Sequence, residues 1–204
     1  FRNNRFYHLN LRVRQDNNPH PLFENNLFDH RTDILFYDVG NYEINGNDFI
    51  DGSKLYFNNC GNITLRNLNM RDEAWIDIGR GGGDLIIDEC RTNQSRITGF
   101  AGHIQFIGGA VEEGHMIASF RELTIEGGHH TVSAREGRDV LITGVESGGA
   151  AISDCRSVTI RDCDGIESIS GGRNQELNIT NNRVLDQISV TEDNVLARIE
   201  NNQV

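Results

Sequence analysis

An arginine and carboxylates stacked on one flat surface can bind an acidic sugar and remove a proton from it. Arg66, Asp88 and Glu126 are spaced for such a row, with 22 residues between the first two and 38, twice 19, between the second and third. A chain repeating every 20 residues or so would set all three in one outward column. Arg66 would then face Asp88 on the next unit, with Glu126 two units further on. The arginine would neutralise a uronate and a carboxylate would abstract the proton, which is lyase chemistry. The plainer account of the same column is a solvated row of cross-strand ion pairs.

A second dense stretch runs from 103 to 138 and holds His103, Glu112, Glu113, His115, His129 and His130. With 19-residue units His130 stacks near Val111, which would bring His129 and His130 beside Glu112 and Glu113. Such a group suits acid–base work or a divalent metal. Its spacing matches no tight ligand motif, so no metal site is assigned, and the competing account is a set of polar side chains scattered over the surface. Asp162-Cys-Asp164 and the segment 45–48 offer oxygens for calcium without a full ligand set, so no cofactor is expected and calcium is the one candidate. Gly81-Gly-Gly83 lacks the Lys-Ser/Thr of a phosphate loop and reads as a corner.

These residues need elements to align them, and the chain supplies a repeat. Apolar anchors fall at Phe1, Phe23, Ile44, Leu65, Ile87, Phe106, Ile125, Ile142, Ile160, Ile179 and Ile199, in steps of 17 to 22 residues. Two residues after the anchor, ten of eleven positions are Asn, Gly or Asp, the residues that tolerate a positive φ and form side-chain turns. Two residues before it, nearly every position is apolar. Each unit is therefore a short strand with inward residues at −2 and 0, followed by a turn. A second strand follows about ten residues later, as in Trp75–Ile78, 96–98, 116–118, 151–153 and 188–190. No apolar period of 3.6 residues persists, so helices are not expected. The pattern predicts an all-β parallel β-helix of about ten coils in a single domain, 1–204.

The strands Val158-Thr-Ile160, Leu123-Thr-Ile125 and Ile63-Thr-Leu65, and turns such as Ile179-Thr-Asn-Asn-Arg-Val184, resemble the right-handed parallel β-helix repeat of the pectate-lyase-like superfamily. NosD-like proteins, polysaccharide lyases, alginate epimerases and phage tailspikes share it. The resemblance spans essentially the whole chain and implies fold more than activity. The Asp-Pro-His of alginate epimerases and the paired aspartates of polygalacturonase-like hydrolases are missing, and Gly114-His115 echoes only the Gly-His of the latter. The expectation is an extracellular, cell-surface or virion module that binds or degrades polysaccharide, the alternative being a structural spacer.

Composition limits the partners. Thirty acidic and 19 basic residues give a net charge of −11, and Lys54 is the only lysine. An acidic surface repels phosphate backbones and anionic headgroups, which disfavours nucleic acid. No apolar run is long enough for a membrane span, and no basic-then-apolar leader opens the sequence. Outward aromatics, which would stack on sugar faces, are few: Tyr7, Tyr37 and Trp75. The third column after the anchor holds Asn at five of eleven places, and Cys90 and Cys163 share it, four coils apart. Cys60 and Cys155 share another column. At about 4.8 Å per coil no pair can meet, so four free, mostly buried thiols are expected. Both termini fall inside the repeat, which points to a flanking domain or a homotrimer that covers the ends.

Overall fold

The computed structural model describes residues 1–14, 22–191 and 193–204. The described chain is all β: 23 strands in two parallel sheets that wind as a solenoid of about ten turns. The first sheet holds nine strands, from Tyr42–Asn45 through Leu85–Asp88 and Asp139–Thr143 to Leu196–Glu200. Its register joins Ile44, Leu65, Ile87, Phe106, Ile125, Ile142, Ile160, Ile179 and Ile199 in one continuous column. Bridges from Arg2 to Glu24 to Asn45 extend the same column to Phe1 and Phe23. All these anchors are buried except Phe1 and Ile199, which have a neighbouring coil on one side only. Pro21 lies outside the described residues.

The residue two after each anchor is left-handed in all eleven units, from Asn3 at φ 57° to Asn201 at 54°. Glu89, the one member that is not Asn, Gly or Asp, is bent in the same way at φ 50°. The next column is the asparagine ladder. Asn47 Oδ1 accepts from the backbone N–H and the Nδ2 of Asn26 at 2.9 and 3.0 Å, and Asn47 Nδ2 donates to the Phe23 carbonyl at 2.9 Å. Asn182 and Asn202 repeat these contacts at the other end. Where cysteine fills the slot, the thiol turns to the same class of acceptor: Cys90 Sγ lies 3.5 Å from the Leu65 carbonyl. A second corner uses the same device, with Asn174 and Asn194 above Cys155.

The second sheet explains why the repeat shortens. In the first coils it is split by a third corner, so that Asn69–Met70 and Trp75–Ile78 are separate strands. Paired left-handed residues make this corner: His30 and Arg31, Asp51 and Gly52, Asp72 and Glu73. One coil later a single strand, Arg91–Thr98, pairs with both pieces, and where the corner had been the next strand, Ala110–Ala118, bulges with Glu112 and Glu113 against Asn93. The anchor spacing falls at this coil from 22 to 19 residues. Core side chains follow the change. The wider coils stack phenylalanines, Phe36 on Phe57 at 4.6 Å and Phe28 on Phe49 at 4.7 Å. In this sheet the narrower ones stack Ile, Val and Ala instead, as at Ala134 and Ile152, while Phe100, Phe106 and Phe120 fill the core elsewhere.

All four cysteines are free and buried, and burial pushes the Cys90 thiol up to about 12. A thiol reagent at neutral pH should leave the folded protein unmodified and count four groups in denaturant; two or fewer would contradict the columns. Replacing Asn47 by Ala should cost about 1–3 kcal/mol in urea unfolding, because buried donors on the neighbouring coil lose their acceptor. An unchanged midpoint would show that the ladder is not structural.

Candidate functional site

The first sheet aligns the expected outward column. Arg66 is opposite Asp88, Asp88 opposite Ile107, and Ile107 opposite Glu126. Arg66 Nε lies 3.5 Å from Asp88 Oδ2, so the pair is an ion pair on a flat outer face. Ile107 stands between the two carboxylates, and Glu126 is exposed with no ion-pair partner among the described residues. Beside this column a shallow trough of about 570 Å³ is lined by His103, Glu122, Thr124, Asp139 and Thr159. Its carboxylates are already matched, Glu122 with Arg121 at 3.3 Å and Asp139 with Arg138 at 3.2 Å. His103 Nε2 is 2.8 Å from Thr124 Oγ1.

The histidine segment divides instead of converging. His129 stacks on Ala110, not on the glutamates, and its Nδ1 meets Ser147 Oγ at 2.8 Å. Glu112 is held by Arg91 at 2.8 Å, and Glu113 stands exposed at the bulge. His115 and His130 turn inward and are almost completely buried. Their rings join a chain inside the solenoid: Ser95 Oγ to His115 Nδ1, His115 Nε2 to His130 Nδ1 at 3.0 Å, and His130 Nε2 to the Gly108 carbonyl at 2.8 Å. A carbonyl only accepts, so its end of the chain fixes every proton. His130 donates through Nε2, His115 donates through Nε2 to His130, and Ser95 donates to His115 Nδ1. Phe106 packs on His115 with ring centres 4.1 Å apart. The expected pairing of His129 and His130 with Glu112 and Glu113 therefore gives way to a closed core network, because the side chain of His130 falls on the inner face.

The acidic spots are also occupied by neighbours. Asp162 pairs with Arg161 and Asp164 with Arg183, while Asp48 accepts from Asn69. At the third corner Asp29, His30 and Asp51 bring three possible metal ligands together. The Asp29 carboxylate there is held below its ordinary range, chiefly by the Arg5 guanidinium at 2.8 Å.

One constellation was not apparent from spacing alone. On the outer face of the second sheet Lys54 is opposite Asp33 on one side and Trp75 on the other. Its ammonium lies 4.2 Å from the Trp75 ring centre and 4.8 Å from that of Tyr56, and 3.0 Å from Asp77. Tyr37 adjoins Tyr56 at 5.7 Å, and Arg14 lies over Tyr37. Burial raises the pKa of Asp33 despite the nearby lysine. The cue in the sequence is a two-residue alternation, Asp33-Ile-Leu-Phe-Tyr37 and Lys54-Leu-Tyr-Phe-Asn58, whose outward members align only once the coil length is fixed. Tyr7 points out elsewhere, against His30.

Comparison with protein-family models, with curated proteins and with solved structures finds no match. No helix is long and apolar enough to cross a membrane among the described residues.

Desolvation lowers both core imidazoles, His130 to about 4 and His115 well below its ordinary value. Both regain a value near 6.5 on unfolding, so the unfolded chain binds the extra protons. Stability should be full above about pH 6.5 and fall below it, by up to about 1.4 kcal/mol per pH unit for each ring. Urea unfolding at pH 7.5, 6 and 5 checks this, and His115→Leu should flatten the slope. Equal midpoints at pH 7.5 and 5 in the unaltered protein would refute it.

Proposed function

We propose that this chain is a polysaccharide-binding β-solenoid module acting outside the cell, at a cell surface or on a virion. The glycan lies across the outer face of the second sheet. The observation that carries this reading is the platform of Tyr37, Tyr56 and Trp75 on adjacent coils, with Lys54 seated between two of the rings. Aromatic faces offer flat apolar area with polar edges, which suits the C–H faces and hydroxyl rims of sugars. Lys54, Asp33 and Asp77 supply hydrogen-bonding groups around the rings. Strand spacing repeats the platform every 4.8 Å or so, a regular surface for an extended polymer.

Binding fits the side chains better than cleavage does. Arg66 is engaged by Asp88, and Ile107 keeps Asp88 apart from Glu126. Trp75 is the sole tryptophan, so its emission reports on this face alone. Titration with a panel of neutral and acidic polysaccharides should shift or quench that emission for at least one polymer. Trp75→Ala should weaken retention of the same polymer in affinity electrophoresis at least tenfold. If no polymer alters the emission or the mobility, the chain is a spacer and the proposal falls.

A further inference from the structure

The charges on this protein are unevenly spread. Among the described residues eight of the arginines make no ion pair: Arg12, Arg14, Arg31, Arg71, Arg80, Arg96, Arg135 and Arg156. Arg12, Arg14, Arg96 and Arg135 are exposed and share the outer face of the second sheet. Together with Lys54 they give five positive charges along the aligned columns from Asn10–Arg14 to Val132–Arg135. Asp33 and Asp77 are the acids in the same columns, so the strip is net +3 on a chain of net −11. Glu113 borders the strip at the bulge.

Within it Arg96 and Arg135 line one shallow depression of about 310 Å³, floored by Met116, Ala118 and Ser133 and flanked by Thr98. Arg96 is opposite Asp77 on one side and Met116 on the other. Asp77 is drawn away to Lys54, which leaves the guanidinium of Arg96 unmatched. Arg135 stands two coils beyond, diagonally across the floor. At about 4.8 Å per coil and 3.3 Å per residue their backbones are roughly 12 Å apart, and two arginine side chains can converge over that span. Small residues continue the floor, Ala151 opposite Ser133 and Ser153 opposite Arg135, so no large side chain blocks an approaching group.

We infer that Arg96 and Arg135 form a subsite for an anionic substituent, a carboxylate or a sulfate, on the polymer whose neighbouring rings stack on Tyr37, Tyr56 and Trp75. The ligand is then an acidic polysaccharide, an inference that rests on the binding face proposed above. Guanidinium forks match both anions with paired N–H donors, and a partly dry floor strengthens the contact. The acidity of the remaining surface turns away polyanions that miss this strip.

The test follows Trp75 emission and gel retardation with polygalacturonate, dextran sulfate and unmodified dextran. Arg96→Gln, Arg135→Gln and the control Arg156→Gln, an equally unpaired arginine on a corner outside the strip, are compared with the unaltered chain. An acidic polymer should bind at least tenfold more weakly to each of the first two variants and unchanged to the third, with affinity falling as salt is raised. Which of the two acidic polymers responds identifies the anion as carboxylate or sulfate. Equal weakening by Arg156→Gln would reduce the effect to net charge and overturn the subsite. Binding of any of the three polymers with neither acidic polymer sensitive to Arg96 and Arg135 would overturn the subsite while leaving the face intact. Silence with all three polymers and with the wider panel would remove the face as well.

Discussion

A coil can stack on its neighbour only if both turn at the same residue, and this solenoid meets that demand with a left-handed position that recurs in every turn. All eleven residues two beyond the anchors adopt it. For an ordinary side chain that conformation costs about 1–2 kcal/mol, so the column is filled by Gly, Asn and Asp, with one exception. Once that bend is fixed, the next residue in the coils that carry Asn26, Asn47, Cys90 and Asn182 points inward at the carbonyls of the adjacent coil, where Asn or Cys can satisfy or cap them. The strands on either side then fall into register, and the alternation of inward and outward residues follows without further instruction.

The outer surface inherits its chemistry from that register. Lys54, Tyr56 and Trp75 are 21 residues apart or adjacent but one in sequence, and only a shared coil length brings them together. The inner surface shows the reverse case. His115 and His130 stand 15 residues apart, a spacing that matches no coil, yet one strand residue and one corner residue meet inside the wall. The same rule that gathers a polar group at the surface thus buries another where no polymer can reach it.

The ladder of anchors, the turn residues, the four separate thiols and the alignment of Arg66 with Asp88 and Glu126 were legible because each depends only on period and alternation. The histidine cluster was not, since its geometry depends on bulges: the break between Thr92 and Gln94 and the unpaired Glu112 and Glu113 shift the register on one side of a strand. Period arithmetic sets His130 beside Val111, and the bridge of Ala110 to His129 agrees; His130 therefore shares the inward position of buried Val111, while Glu112 and Glu113 bulge to the outside. Tyr56 escaped notice because its outward direction is set by Leu55 and Phe57 filling the core, a distinction that two consecutive apolar residues do not announce.

The disappearing third corner has a consequence for how such a chain can change. Three residues are lost between neighbouring coils at 69–75 and 91–94, yet the columns on both sides of the gap continue without a slip. That corner behaves as slack in the winding. Lengthening or trimming a gene there alters the girth of the solenoid while its ribs stay aligned, whereas the same edit beside an anchor would displace every rib beyond it. Variation in coil length is thereby confined to one seam of the wall, and the faces that could meet a ligand are free to diversify residue by residue on a scaffold whose pitch does not move.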